Sequence, residues 1–206
     1  MTHSNVSRAL AEQHQRERRL QAEARRVAAA NAPLPTHGAL PAFGGIWAEP
    51  TLLDVRPLAG DDSDRLLRLF RRLSPRSIQQ RFFSPLRQLS GEFLARLLDV
   101  DHDQREALVA LRHDEIIAVA RYAGAASSGR AELAVTVEDT WQQRGIGKRL
   151  TFRLSELAVE RGFDTFVARI MADNRPALRL VRSLSRDTVI RMQHGEYEAS
   201  IPLVAR

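Results

Sequence analysis

The stretch Gln142-Gln143-Arg144-Gly145-Ile146-Gly147 constrains this chain more than any other. Before it runs RAELAVTVED (130–139), whose alternating apolar residues read as a strand. After it, Leu150, Leu154, Leu157 and Ala158 fall on one face of a helix that Gly162 ends. A strand that turns through two glycines straight into a helix is an α/β unit and a physical anion site. The first amides of a helix have no partner within it, and the helix dipole favours negative charge there. Glycine lets a phosphate approach with no side chain in the way.

Two familiar phosphate motifs do not fit. A P-loop needs glycine, four residues, then Gly-Lys-Ser/Thr. Here Gly147-Lys148 is followed by Arg149, and Gln142 stands where the first glycine belongs. A dinucleotide fingerprint needs a third glycine where Leu150 stands. A tight turn that holds no ligand is the plain alternative.

The rest of the chain supplies a layered α/β frame. TLLDVRPL (51–58) reads as a strand. Residues 61–73 read as a helix with Leu66, Leu69, Phe70 and Leu73 on one face, acids at its start and arginines at its end. Residues 74–88 read as a proline-punctuated connector, and Ser90 as the cap of a helix over 91–99. A hairpin follows (106–113 and 115–124), then the 130–139 strand, the glycine turn and its helix. The spacing then predicts a strand over 164–171, a short helix over 172–184, and two strands (187–193 and 197–204) joined by His-Gly-Glu. This order builds an α/β layer with a mixed sheet.

Residues 1–48 differ in character. Residues 5–30 are rich in Ala, Arg, Glu and Gln and suggest a helix with a thin apolar face, Val6, Leu10, Leu20 and Val27. The uncharged run 27–48 holds three prolines and three glycines, so it reads as a linker and not as a membrane span. The expected division is an N-terminal extension (1–48) and a folded domain (49–206), with order beginning near Trp47. The tail is a solvated segment, a partner-binding arm, or a helix packed on a second subunit of a homodimer.

Composition narrows the chemistry. There is no cysteine, hence no disulfide and no thiolate nucleophile, and the six histidines show no paired ligand spacing, so no metal site is expected. The formal charge of +6 is mild and spread out, and Lys148 is the sole lysine among 31 basic residues. Nucleic-acid binding would need a clustered face, and Glu12, Glu17 and Glu23 interrupt the basic N-terminus. The first residues lack the apolar stretch of a signal peptide, so a soluble cytoplasmic protein is expected.

Gln142-x-x-Gly145-x-Gly147, placed between an Ala-Val-Thr-Val strand and an amphipathic helix, resembles the coenzyme A pyrophosphate loop of the GNAT superfamily of N-acyltransferases. The order of elements over residues 50–203 resembles that fold too, a mixed, mostly antiparallel central sheet flanked by about four helices. The resemblance implies that amides from Arg144 through Gly145, Ile146, Gly147 and Lys148 to Arg149 hold the pyrophosphate of acetyl-CoA. It implies that main-chain groups of Val135, Thr136 and Val137 pair with the pantetheine arm, and that Asn174 touches the cofactor. Lys148 and Arg149 could neutralise phosphates or be solvated surface charge.

Residues 73–111 and 130–147 are also similar to the acyltransferase domain of bacterial protein-lysine acetyltransferases, which modify lysines, notably in acyl-CoA synthetases. In that group a strand glutamate ten residues before the motif glutamine is the proposed general base, and here that position is Glu132. The chemistry asks for one. A lysine amine has a pKa of about 10.4 and attacks a thioester only when neutral, so a carboxylate must remove its proton. Partial burial would raise the basicity of that carboxylate. Alternation puts Glu132, Ala134 and Thr136 on one face of the strand, with Leu133, Val135 and Val137 on the other. A surface glutamate paired with Arg121 is the bland reading.

The chain departs from the superfamily in two places. Val181 stands where many members carry a general-acid tyrosine, and Ser185-Arg186 replaces the usual Gly-Phe. At 206 residues, neither of the domains often fused in the protein-lysine group is expected. The acceptor site is expected around residues 74–88, where Arg76, Arg81 and Arg87 face an acidic protein substrate or are solvated. The leading expectation is an acetyl-CoA-dependent N-acetyltransferase acting on protein lysine. A small-amine acetyltransferase and a non-catalytic coenzyme A sensor are the rivals.

Overall fold

The computed structural model describes residues 53–203. The N-terminal helix, the linker, the start of order at Trp47 and the beginning of the 51–58 strand lie outside them.

Among the described residues, seven strands form one sheet in the order β1-β2-β3-β4-β5-β7-β6. They are β1 (Asp54–Pro57), β2 (Arg105–Arg112), β3 (Glu115–Ala125), β4 (Arg130–Val137), β5 (Thr165–Met171), β6 (Val189–Gln193) and β7 (Glu196–Pro202). The α-helices of the described residues are α1 (Ser63–Arg72), α2 (Pro75–Phe82), α3 (Gly91–Leu98), α4 (Ile146–Glu160) and α5 (Arg175–Arg182). Neighbouring strands run antiparallel except β4 and β5. The expected GNAT fold, a mixed and mostly antiparallel α/β sheet, is therefore what the chain builds.

Side-chain alternation sends each strand into two cores. On β2, Ala107, Val109 and Leu111 pack with Leu66, Leu69 and Phe70 of α1 and Ile78 of α2. Leu108 and Ala110 point the other way, into a core closed by Leu150, Leu154 and Ala158 of α4 and by Leu178 and Val181 of α5. Leu150 and Leu154 are fully buried, each worth about 2 kcal/mol of transfer free energy. The β2–β3 and β6–β7 hairpins turn on paired left-handed residues, His113-Asp114 and His194-Gly195, which match the twist of the flanking strands.

One element was not expected. Residues 74–88 are not merely a connector, because Pro75–Phe82 is helical. Ser74 caps it by accepting a hydrogen bond from Ser77 N–H, and Pro75 occupies the first turn, where its missing N–H costs nothing. Ser90 caps α3 in the same way, as its position predicted.

Candidate active site

The site is built where two parallel strands part. The pairing of β4 with β5 covers only Arg130–Thr165, Ala131–Phe166 and Glu132–Val167, although β4 runs on to Val137 and β5 to Met171. Beyond Glu132 the strands open into a wedge. Glu138 N–H donates back to Ile117 on the β3 side, so backbone alternation turns the groups of Val135 and Val137 toward the wedge. The Val137 carbonyl accepts from Gln142 Nε2 at 3.1 Å, and Val135 has no strand partner on that side.

The glycine turn closes the wide end of this wedge. Gln143 (φ 61°) and Gly145 (φ 78°) are left-handed, and α4 starts directly after them at Ile146. The amides of Ile146, Gly147 and Lys148 lie in its first turn and have no acceptor within the helix. Arg149 N–H already donates to the Gly145 carbonyl at 3.0 Å, so the free amides end at Lys148 and not at Arg149 as expected. Ile146 has its side chain in the core and offers only its amide. A Cβ built on Gly147 would meet Val135 and Val137 methyls at 3.5 Å, an ordinary contact. Packing within the protein therefore does not demand glycine there. Lys148 and Arg149 are exposed at the mouth.

Helix α2 spans that mouth. After β4, Asp139 Oδ2 accepts from Ser74 N–H (2.9 Å), and Oδ1 accepts from the hydroxyls of Ser74 and Ser77 (2.8 Å each). Burial opposes ionisation of Asp139, but these donors outweigh it and hold the carboxyl below its usual range. Gln142 Nε2 also donates to Ser77 Oγ at 3.3 Å. After β5, Asp173 accepts from Arg76 (3.2 Å) and Gln80 (3.4 Å). The motif glutamine thus fastens the loop to its supports. Asn174 caps α5 by accepting from Ala177 N–H at 3.1 Å. The Asp139–Ser74–Ser77 latch had no signal beyond the Ser-Pro pair, since it joins segments more than sixty residues apart.

On the opposite face of β4 from α4 stand Glu132, Ala134 and Thr136, beside Ala123, Arg121 and Val119 of β3. Glu132 is exposed. It makes no ion pair with Arg121, whose Nη1 donates instead to the Leu97 carbonyl at 3.0 Å. The three arginines of segment 74–88 separate clearly. Arg76 pairs with Asp173, Arg87 is exposed, and Arg81 turns into a cavity of about 50 Å³ that Arg121, Ala134 and Thr136 also line. Val181 is buried, so the position expected to lack a tyrosine belongs to the core. Among the described residues, no group of three or more histidines and carboxylates is placed to hold a metal ion.

A phosphate-bearing cofactor can therefore rest its anion on the start of α4 and lay an extended arm along Val135. A carboxylate stands on the other face of the same strand, open to an incoming amine. Known proteins agree with this layout. Residues 66–184 match the acetyltransferase (GNAT) family. An acetyltransferase of Pseudomonas aeruginosa is 33% identical over 125 residues, which are 59% of this chain and 67% of that protein. The crystal structure of the GNAT domain of S. lividans PAT superposes with a TM-score of 0.69 at 27% identity, covering 73% of this chain and 90% of that one. YncA of Salmonella typhimurium, solved with its cofactor acetyl-CoA, shares the fold (TM-score 0.60, 16% identity, 75% and 95% covered). A cAMP-binding acyltransferase of Mycobacterium smegmatis is 25% identical with a TM-score of 0.50, and this chain spans 44% of it. The match runs through the strand, the glycine turn and both helices of the wedge, and the chain belongs to the GNAT acetyltransferase family.

Proposed function

We propose that this protein transfers the acetyl group of acetyl-CoA to an amine, and that the amine is a lysine side chain of a protein. The observation that carries the reading is the open wedge between β4 and β5, capped by the unpaired amides of α4. Acetyl-CoA, when bound, supplies the thioester carbon that the amine attacks. The amides of Ile146, Gly147 and Lys148 hold its pyrophosphate, and the Lys148 and Arg149 side chains add positive charge at the mouth. Backbone groups of Val135 pair with the pantetheine arm as an added strand would. Gln142 and Asn174 hold the two loops in place from behind.

Glu132 takes the proton of the incoming ammonium, directly or through one water. Its exposure suits an acceptor that arrives from solvent. A thiolate is a weakly basic leaving group, so no side chain need replace the absent tyrosine at Val181. The lysine acceptor draws support from the 27% identity to the GNAT domain of S. lividans PAT over 73% of the chain.

The test is thiol release from acetyl-CoA with and without a lysine-bearing acyl-CoA synthetase. Acceptor-dependent release is expected. Glu132→Gln should lower kcat about 100-fold or more while leaving coenzyme A affinity within about twofold. Release only with small amines would move the acceptor to that class. Coenzyme A binding with no release on any amine would leave a cofactor sensor.

A further inference from the structure

Arg81, in the last turn of α2, lines the cavity beside β4, and Arg121 lines it from β3. Among the described residues Arg81 has no hydrogen bond and no ion pair. Its guanidinium carbon lies 5.0 Å from the centre of the Phe82 ring. Arg121 makes a single hydrogen bond, to the Leu97 carbonyl. Each guanidinium carries five N–H donors, so most of the ten make no hydrogen bond among the described residues, and none of the unpaired nitrogens is fully buried, which leaves them open to a ligand. Burial, then the neighbouring Arg121 charge, pulls the Arg81 pKa down to about 10, with Glu132 opposing. Burial lowers that of Arg121 as well.

Both arginines are half-buried, so water still reaches them, and two like charges lining one pocket repel each other until an anion joins them. Among the described residues no carboxylate forms an ion pair with either, although Glu132 acts on Arg81 and Asp99 on Arg121 at longer range. The cofactor phosphates do not claim these groups either. Their amides start α4, on the face of β4 that Val135 and Val137 share, whereas the arginines lie on the face of Ala134 and Thr136. That face also carries Glu132. The cavity, of about 50 Å³, is lined by apolar side chains except for Arg81, Arg121 and Thr136, so an acid group entering it would meet the two guanidiniums. Paired planar guanidiniums match a carboxylate well.

We propose that Arg81 and Arg121 form a carboxylate subsite of the acceptor pocket, so that the amine chosen for acetylation is one with an acid group close beside it. This rests on the acetyl-transfer reading for its meaning, but the subsite itself is a binding property. In a protein acceptor the acid is a neighbouring Asp or Glu side chain, and in a free amino acid it is the α-carboxylate.

The experiment is calorimetric titration of the full chain, saturated with coenzyme A, using two capped pentapeptides, Gly-Glu-Lys-Glu-Gly and Gly-Gln-Lys-Gln-Gly. Free lysine and lysinamide form a second pair. Thiol release from acetyl-CoA is measured in parallel with the same four compounds. The acidic member of at least one pair should bind about tenfold more tightly, and the pair that discriminates identifies the source of the carboxylate. Arg81→Gln should bring the acidic compound down to the level of its amide, and Arg81→Lys should restore only part of the difference. Unchanged coenzyme A affinity shows that each variant is folded. Equal binding within both pairs overturns the subsite, as does a preference that survives both Arg81→Gln and Arg121→Gln. A preference without thiol release overturns acetyl transfer and leaves the subsite standing.

Discussion

Single residues decide whether the loop can present its amides. Gly145 is left-handed at φ 78°, a conformation that costs an alanine about 1 kcal/mol. Gly147 is not in that region, and its Cβ would find ordinary contacts. The two glycines therefore separate by experiment. Gly145→Ala should lower the unfolding free energy by about 1 kcal/mol and weaken coenzyme A binding, since the amides that follow it would shift. Gly147→Ala should leave the free protein as stable or up to about 0.5 kcal/mol more so, because a helical alanine loses less chain entropy than glycine. Denaturant melts of both variants, with and without coenzyme A, check this. Equal losses in the two free proteins would contradict the assignment of the conformational demand to Gly145 alone. The glycine pair could be read from the sequence because its message is local. That the protein itself needs one glycine and not the other could not, since the room beside Gly147 is set by Val135, Val137 and Leu180.

At the scale of elements, α2 shows where local pattern fails. Its segment is bracketed by Pro75 and Pro85 and has a weak apolar face, with only Ile78 buried. It reads as a connector until Ser74-Pro75 is taken as a cap followed by a first-turn proline. What fixes it is distant: Asp139 at one end of the wedge and Asp173 at the other. The Asp173 contacts are exposed and contribute little. The Asp139 latch, with three donors on one carboxylate, should matter more. Asp139→Ala should cost about 1–2 kcal/mol of stability and loosen α2. Amide hydrogen exchange should then quicken in residues 77–82 and change little in β2 and β3. The KM for an acceptor should rise more than kcat falls, because α2 carries Arg81 and not the proposed base. The Asp139 carboxyl is held below its usual range, so the latch is complete above about pH 4 and is lost as pH falls through the lowered value.

The whole molecule repeats that logic. Strand and helix order could be read along the chain because each element keeps its own period, 2 or 3.6 residues. The wedge could not be read, because it depends on where β4 and β5 stop pairing, and no residue in either strand announces that. Long-range ion pairs were equally silent. Asp62, fully buried, receives Arg56 through two 2.7 Å hydrogen bonds and also accepts from Ala59 N–H, joining edge strand β1 to the start of α1. The Arg56 hydrogen bonds, which outweigh burial, hold its carboxyl below the usual range. Asp101 is also lowered: burial opposes its ionisation, but the Arg105 and Asp103 amides prevail. In the unfolded chain these groups titrate near 3.9. A folded-state value below that means the stabilisation is whole above about pH 5 and drains away as pH falls through the folded-state values. The unfolding free energy should therefore be flat from about pH 7 to 5 and decline below about pH 4. Asp62→Asn should be less stable by about 2 kcal/mol at neutral pH, since Arg56 keeps its position but loses its charge partner. That deficit should shrink as both proteins approach pH 3, where the wild-type carboxyl is itself becoming neutral. Urea titrations of the two proteins across this range test the point. A deficit that stays constant down to pH 3 would show that Asp62 acts through the shape of its hydrogen bonds and not through its charge.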